Sequence, residues 1–243
     1  MTEAPRPAAL PSRRRAMTRL AVAGLVALAG LALVLTIGVQ RPEAQGEEPA
    51  PPPAASLPKP GAKVPPRGVS APVDRPHASD AAELRSWSRR VAGLTDMPER
   101  AVRGYGLAEM WMRSEAPGCG LSWTTLAGIG QVASEHGGAI GRDGVLAKPV
   151  VGKHGRLGPL LTPLKKWTAH RFRASRDGER PDPQQIDDAA VTVARELCAH
   201  SGDLTGPAGW WAAVTGHGGS ARFAQDVYTA AGGYARASAA AGR

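Results

Sequence analysis

The feature that most constrains this chain is an uncharged apolar run from Leu20 to Val39, LAVAGLVALAGLALVLTIGV. As a helix rising about 1.5 Å per residue, the run spans roughly 30 Å, the thickness of a bilayer's hydrocarbon core. Arginines are concentrated just before the run, at residues 13–15 and 19, whereas only Arg41 follows closely. The positive-inside rule therefore places residues 1–19 in the cytoplasm. The sequence predicts a single-pass plasma-membrane protein with an extracytoplasmic C-terminal part.

A cleaved signal peptide is the alternative to this transmembrane signal anchor at residues 20–39. The apolar core of a signal peptide usually has about 7 to 15 residues and precedes a cleavage site of small residues. The apolar run here is longer, and the following stretch, TIGVQRPEAQG, contains no clear A-x-A site. We therefore interpret the run as an uncleaved anchor.

The chain changes character twice after the anchor. Residues 40–79 contain 11 of the 22 prolines, which predicts a Pro-rich disordered linker that favours extended conformations. Residues 80–243 hold 20 Lys and Arg against 16 Asp and Glu, so they carry only +4 of the net charge of +9. Because much of the positive charge lies outside this last segment, we predict no nucleic-acid partner.

The segment 80–243 has the pattern of a helical domain. Its apolar residues recur with helical spacing and never alternate over a sustained run, which predicts an all-α domain of about seven helices. Asp96, Ser122 and Thr162 are the expected N-caps of three of them. The third helix should run through GIGQVASEH to a stop at Gly137-Gly138.

Cys119 and Cys198 are the only two cysteines. In an exported protein such a pair favours a disulfide over a metal site or a reactive thiol. The histidines are scattered, and the sequence lacks a Gly-rich phosphate loop, a zinc-ligand spacing and a G-x-S-x-G motif. We therefore predict neither a metal nor a cofactor.

Several stretches between about Trp87 and Tyr234 resemble, in order, the actinobacterial lytic transglycosylases, lysozyme-like helical domains that cleave peptidoglycan glycan strands. They are TDMPERAVRGYGLAE, PGCGLSWTTLAGIG, SEHG, Gly158-Pro159 followed by Trp167, IDDAAVTVARELC and GDLTGPAGWWAAV. The resemblance implies a compact lysozyme-like fold, a disulfide between Cys119 and Cys198, and peptidoglycan glycan strands as the partner.

The catalytic positions depart from that family. Its members read Gly-Ile-Gly-Arg-Val-Glu-Ser-x-His-Gly, in which the Glu is the single acid/base; here Ala133 stands at the position of the acid, and Glu135 follows two residues later. Leu160-Leu161 replace Met-Gln, and His217-Gly218 replace Tyr-Asn. The resemblance implies the following substrate-groove residues: Ala133, His136, Gly158, Pro159, Leu160, Leu161, His217 and Gly218.

The position of Glu135 argues against efficient cleavage. Two residues along a helix correspond to a rotation of about 200°, so Glu135 should face away from the groove unless the last helical turn unwinds. A general acid must lie within about 3 Å of the glycosidic oxygen. We therefore predict a peptidoglycan-directed domain with lost or reduced cleavage, a pseudoenzyme. The alternatives are an active transglycosylase that uses Glu135, and a non-catalytic module that binds a protein of the cell envelope.

Overall fold

The computed structural model describes residues 59–72 and 81–242, and this part of the chain is all-α. No strand occurs in it, only isolated β-bridges between loop residues. The seven α-helices are α1 Ala81–Thr95, α2 Glu99–Glu115, α3 Trp123–Ser134, α4 Leu164–His170, α5 Ile186–Ser201, α6 Pro207–Gly218 and α7 Ala221–Ser238. The prediction of an all-α domain of about seven helices is thus confirmed.

The predicted cytoplasmic tail at 1–19, the anchor at 20–39 and most of the linker at 40–79 lie outside the described residues. None of the helices in the described part combines the length and the apolar character that crossing a membrane would require.

Helix α3 forms the centre of the domain. Its residues from Trp123 to Gly130 are buried, and it packs most extensively against α7, while α2 packs against α5. Gly128 allows the close approach of α7, because a Cβ at this position would lie 2.8 Å from the carbonyl oxygen of Val227. The end of α3 is therefore fixed from two sides, by α2 and by α7.

Two of the three predicted N-caps differ from the structure, and the third, Ser122, is confirmed in position only. Asp96 has a left-handed backbone (φ 54°), whereas an N-cap is extended, and α2 begins later, at Glu99. Ser122 precedes α3 as predicted, but its hydroxyl bonds to the Thr124 hydroxyl and caps no amide. Thr162 lies one residue before the cap of α4, which is Pro163.

The predicted disulfide is present. It joins Cys119, in the 3₁₀ turn before α3, to Cys198 in α5, with a Cα–Cα distance of 5.4 Å. Closing a loop across 79 residues stabilises the fold by about 4 kcal/mol in the chain-entropy model.

Part of the predicted linker packs on the helical domain. We call residues 63–71 the strap. The indole of Trp211 donates to the Lys63 carbonyl at 2.8 Å, and the indole of Trp123 donates to the Val69 carbonyl at 2.9 Å. Arg67 donates to the carbonyl of Gly120, next to the disulfide, at 2.5 Å. The strap thus ties the chain that leads towards the predicted anchor to the core helices.

Candidate functional site

The helix α3 ends earlier than its sequence predicts. Its last residue is Ser134, and both Glu135 (φ 52°) and His136 (φ 64°) have left-handed backbones. The predicted stop at Gly137-Gly138 is therefore wrong by two residues. Ala133 is half-buried in the last turn, whereas Glu135 lies beyond the helix and is exposed. The backbone at Glu135 is therefore no longer helical, so its side chain does not follow the helical direction that the prediction assumed.

His136 is buried at this helix end, with 3% of its surface exposed, between two tyrosines. Its Nδ1 lies 3.0 Å from the Tyr105 hydroxyl, and its Nε2 lies 3.0 Å from the Tyr234 hydroxyl. The Tyr234 hydroxyl donates in turn to the Gln131 side-chain oxygen at 2.7 Å. The four side chains form one continuous hydrogen-bonded chain from α2 through α3 to α7.

The direction of this chain fixes the tautomer of His136. A hydroxyl has a single proton, and the Tyr234 hydroxyl donates its proton to Gln131. It can therefore only accept from His136, so His136 Nε2–H is the donor. Nδ1 then carries no proton and accepts from the Tyr105 hydroxyl. Burial supports the neutral ring, because it lowers the pKa of His136 to about 4. Burial also raises the pKa of Tyr234 to about 12, and that of Tyr105 above its usual value.

Gly130, the second glycine of the GIG motif, is required by this network. A Cβ at Gly130 would lie 2.1 Å from the Tyr105 hydroxyl oxygen and 3.1 Å from His136 Nδ1. Only a residue without a side chain lets Tyr105 reach His136. The motif that marks the resemblance therefore has a packing role that is independent of catalysis.

The segment 158–162, which we call the wall, lies against the end of α3. The Ser134 hydroxyl donates to the Pro159 carbonyl at 2.6 Å. Gly158 has a left-handed backbone (φ 72°), and a Cβ there would lie 1.9 Å from the Pro183 carbonyl oxygen. Leu160 is fully buried in the core. The wall thus meets the helix end through one of its backbone carbonyls, which accepts from the Ser134 side chain.

His217 holds the wall from behind. It is fully buried, its Nε2 donates to the Leu160 carbonyl at 2.9 Å, and its Nδ1 lies 2.8 Å from a Glu196 oxygen. Lys166 donates to the other oxygen of Glu196 at 2.6 Å. Burial raises the pKa of Glu196, but the hydrogen bonds from His217 and Lys166 outweigh it and hold this pKa below its usual value. Glu196 is therefore an ionised carboxylate between two donors.

Arg156 also contacts this region, although no motif or spacing in the sequence pointed to it. Its guanidinium donates to the carbonyls of Leu161 at 3.1 Å, His217 at 3.0 Å and Gly218 at 3.2 Å. The last two carbonyls belong to the C-terminal turn of α6, where a cation is favoured by the helix dipole. Arg156 thus fastens α6 to the wall.

The structure brings most of the predicted groove residues together. The hydrogen bonds of Ser134, His217 and Arg156 connect the end of α3, the wall and the end of α6 into one region. The side chains of His136, Leu160 and His217 are buried, so they support this region and do not line an open groove. Ala133 and Leu161 are half-buried, and Glu135 is exposed.

Sequence reasoning missed the partners of both buried histidines. Tyr105 lies 31 residues from His136 and Tyr234 lies 98 residues from it, so no local spacing connects them.

Among residues 59–72 and 81–242, no three His, Cys, Asp or Glu side chains are grouped as metal ligands.

In comparisons with known protein families, with characterised proteins and with solved structures, no match to this chain was found. The assignment of a function therefore depends on the residues and their geometry.

Proposed function

We propose that this protein is a membrane-anchored, extracytoplasmic domain with a lysozyme-like, lytic-transglycosylase-like helical fold that binds peptidoglycan glycan strands with lost or reduced cleavage. Three features support the proposal. The stretches that resemble the family lie on connected elements, namely α2, α3, the wall, α5 and α6. The disulfide joins the two cysteines that the resemblance pairs. An anchor at residues 20–39 with a linker behind it would hold the domain at the cell wall.

The observation that carries the proposal is the methyl group of Ala133. It lies half-buried in the last turn of α3, next in sequence to Ser134, which donates to the wall, and at the position where the resembling enzymes have their single acid. The surrounding framework is intact, because His136 and His217 have all their ring nitrogens partnered. General acid–base catalysis contributes about 10²- to 10⁴-fold to a rate, so an alanine there removes most of the cleavage.

Two assays with purified peptidoglycan sacculi test this proposal. We expect the protein to bind sacculi saturably and to release no 1,6-anhydromuramoyl products above background, as measured by mass spectrometry of the soluble fraction. The variant Ala133→Glu should gain measurable release, and Ala133→Gln, of the same size but without an acid, should not. Absence of saturable binding would reject the glycan proposal and leave the protein-binding alternative.

The unwound end of α3 favours a second candidate function, an active transglycosylase that uses Glu135. The left-handed backbone at Glu135 releases its side chain from the helical direction that would point it away from Ala133. Wild type and Glu135→Gln are compared for product release under identical conditions. A clear loss in Glu135→Gln would establish this candidate, and equal background in both proteins would dispose of it.

A further inference from the structure

A basic depression lies between the start of α2 and the loop that follows α3. It has a volume of about 310 Å³ and is lined by Glu99, Arg100, Arg103, Ile140, Gly141 and Arg142. Three of its six lining residues are arginines, contributed by two separate elements. None of these arginines takes part in the site at the end of α3.

The positive charges in this depression are only partly compensated. Arg100 is paired with Asp187 through both terminal nitrogens. The one hydrogen bond of Arg103 within the described chain goes to the Arg142 carbonyl, at 3.4 Å. Arg142 is exposed, and its guanidinium has no partner among residues 59–72 and 81–242. Two guanidiniums are therefore available for an added ligand.

Arg103 lies near a second cation, Arg100, and near the carboxylates of Asp187 and Glu99. Burial and the adjacent Arg100 lower the pKa of Arg103, while Asp187 and Glu99 act in the opposite direction and do not compensate fully. An anion placed between these guanidiniums would relieve their mutual repulsion. Arginine remains charged under all ordinary conditions, so the positive potential is permanent.

The loop that carries Arg142 is fixed in place. The Ile186 amide donates to the Gly144 carbonyl at 2.8 Å, and the Gln185 side chain donates to the Asp143 carbonyl at 3.1 Å. Gly144 has a left-handed backbone (φ 91°), and a Cβ there would lie 2.2 Å from an Arg100 nitrogen. Because the loop backbone is fastened to α5, little conformational entropy is lost when a ligand binds.

We propose that this depression binds a phosphate-type oxyanion between Arg103 and Arg142, beside the ion pair of Arg100 and Asp187. A phosphate has more acceptor oxygens than a carboxylate, so it can accept a bidentate pair from each of the two guanidiniums. Outside the membrane, this chemistry occurs in a phosphodiester polymer of the wall, in a lipid headgroup and in free phosphate. The proposal goes beyond glycan binding and does not depend on it.

The test uses the full chain in phosphatidylcholine nanodiscs at low salt, titrated with inorganic phosphate and with soluble poly(glycerol phosphate) by calorimetry. We expect saturable binding, weakened about tenfold by Arg103→Gln and by Arg142→Gln through loss of a charge-assisted hydrogen bond. The control, Arg222→Gln, removes an exposed arginine of α7 that is paired with Asp226 and should leave the affinity unchanged.

The arms of the experiment separate the sources of phosphate. Tighter binding of the polymer than of inorganic phosphate supports a wall polymer as the ligand. A loss of phosphate affinity only in phosphatidylglycerol nanodiscs supports a lipid headgroup that competes for the site. The proposal is overturned if neither phosphate ligand binds saturably, if acetate binds as tightly as phosphate, or if Arg222→Gln weakens binding as much as the other two variants.

Discussion

The candidate site has two buried histidines, His136 at the end of α3 and His217 in α6. Both ring nitrogens of each histidine have a hydrogen-bond partner, but the partners differ. Both ring nitrogens of His136 face neutral tyrosine hydroxyls. Those of His217 face the Glu196 carboxylate and the Leu160 carbonyl. Burial therefore leaves His136 neutral between two hydroxyls, whereas His217 lies between a carboxylate and a backbone carbonyl. The comparison shows that two buried imidazoles can depend on different kinds of partner.

The two regions should consequently lose stability in response to different changes. The His136 region is a chain of neutral groups, so it is sensitive to the addition of a proton. The His217 region is built around the Glu196 carboxylate, which contacts Lys166 and His217, so it is sensitive to the removal of a partner. The following changes test that distinction.

The largest expected effect comes from His217→Ala. A buried acceptor left without its donor costs about 1–3 kcal/mol, and more when the acceptor is charged. Here two buried acceptors lose a partner, one oxygen of Glu196 and the Leu160 carbonyl, while Lys166 remains on the other oxygen of Glu196. Urea unfolding at pH 7 measures the change in the free energy of unfolding. The control His154→Asn, at an exposed loop position whose left-handed backbone asparagine tolerates, should stay within about 0.5 kcal/mol of wild type. A similar small change for His217→Ala would contradict a structural role for its two hydrogen bonds.

The second effect is a pH dependence that belongs to His136. Its pKa is lowered from 6.5 to about 4, so between these values the unfolded chain binds a proton that the folded chain does not. Stability is therefore complete above pH 6.5 and falls as the pH decreases towards 4, by on the order of 3 kcal/mol. Glu196 affects stability in a different pH range. Its pKa is lowered in the folded protein, so the stability that it contributes is lost only as the pH falls below the usual pKa of 4.5.

Urea unfolding of wild type and His136→Phe between pH 7 and pH 4 separates the contribution of His136 from that of Glu196. The variant leaves the Tyr105 hydroxyl without a partner, which should cost about 1–3 kcal/mol at pH 7. Its stability should nevertheless change less with pH than that of wild type, because the titrating ring is absent. Parallel pH profiles for the two proteins would show that His136 is not the buried neutral group.

The same comparison shows what the sequence could predict. The helices with strong apolar periodicity, such as α5 and α7, were predictable because periodicity and capping signals agree there. The end of α3 was not, because the unwinding at Glu135 depends on the burial of His136 between Tyr105 and Tyr234, which are distant in sequence. Propensity carries no information about such tertiary hydrogen bonds.

The wall region shows a second limit. The residues Gly158, Pro159 and His217 could be placed near one another through a resemblance. The burial of His217 could not be predicted, because its partner is Glu196, a residue that looks like an ordinary charged position of an amphipathic helix. The packing of the strap was also not predicted. Its prolines indicate a linker, yet the carbonyls of Lys63 and Val69 accept hydrogen bonds from two tryptophans that are distant in sequence.

The smallest effect in this comparison should come from Gly130→Ala. The added methyl group would overlap the Tyr105 hydroxyl at 2.1 Å and displace it from His136, at a cost of about 1–3 kcal/mol for overpacking. The matched control is Gly233→Ala in α7, where a Cβ would meet no atom within 4 Å, and where alanine should raise stability by about 0.5–1 kcal/mol through helix propensity. Urea unfolding measures both changes, and their opposite signs are the diagnostic result. If Gly130→Ala stabilised the protein as Gly233→Ala does, the contact between Tyr105 and His136 would not be a feature of the folded state, and the contrast between the two histidines would lose its basis.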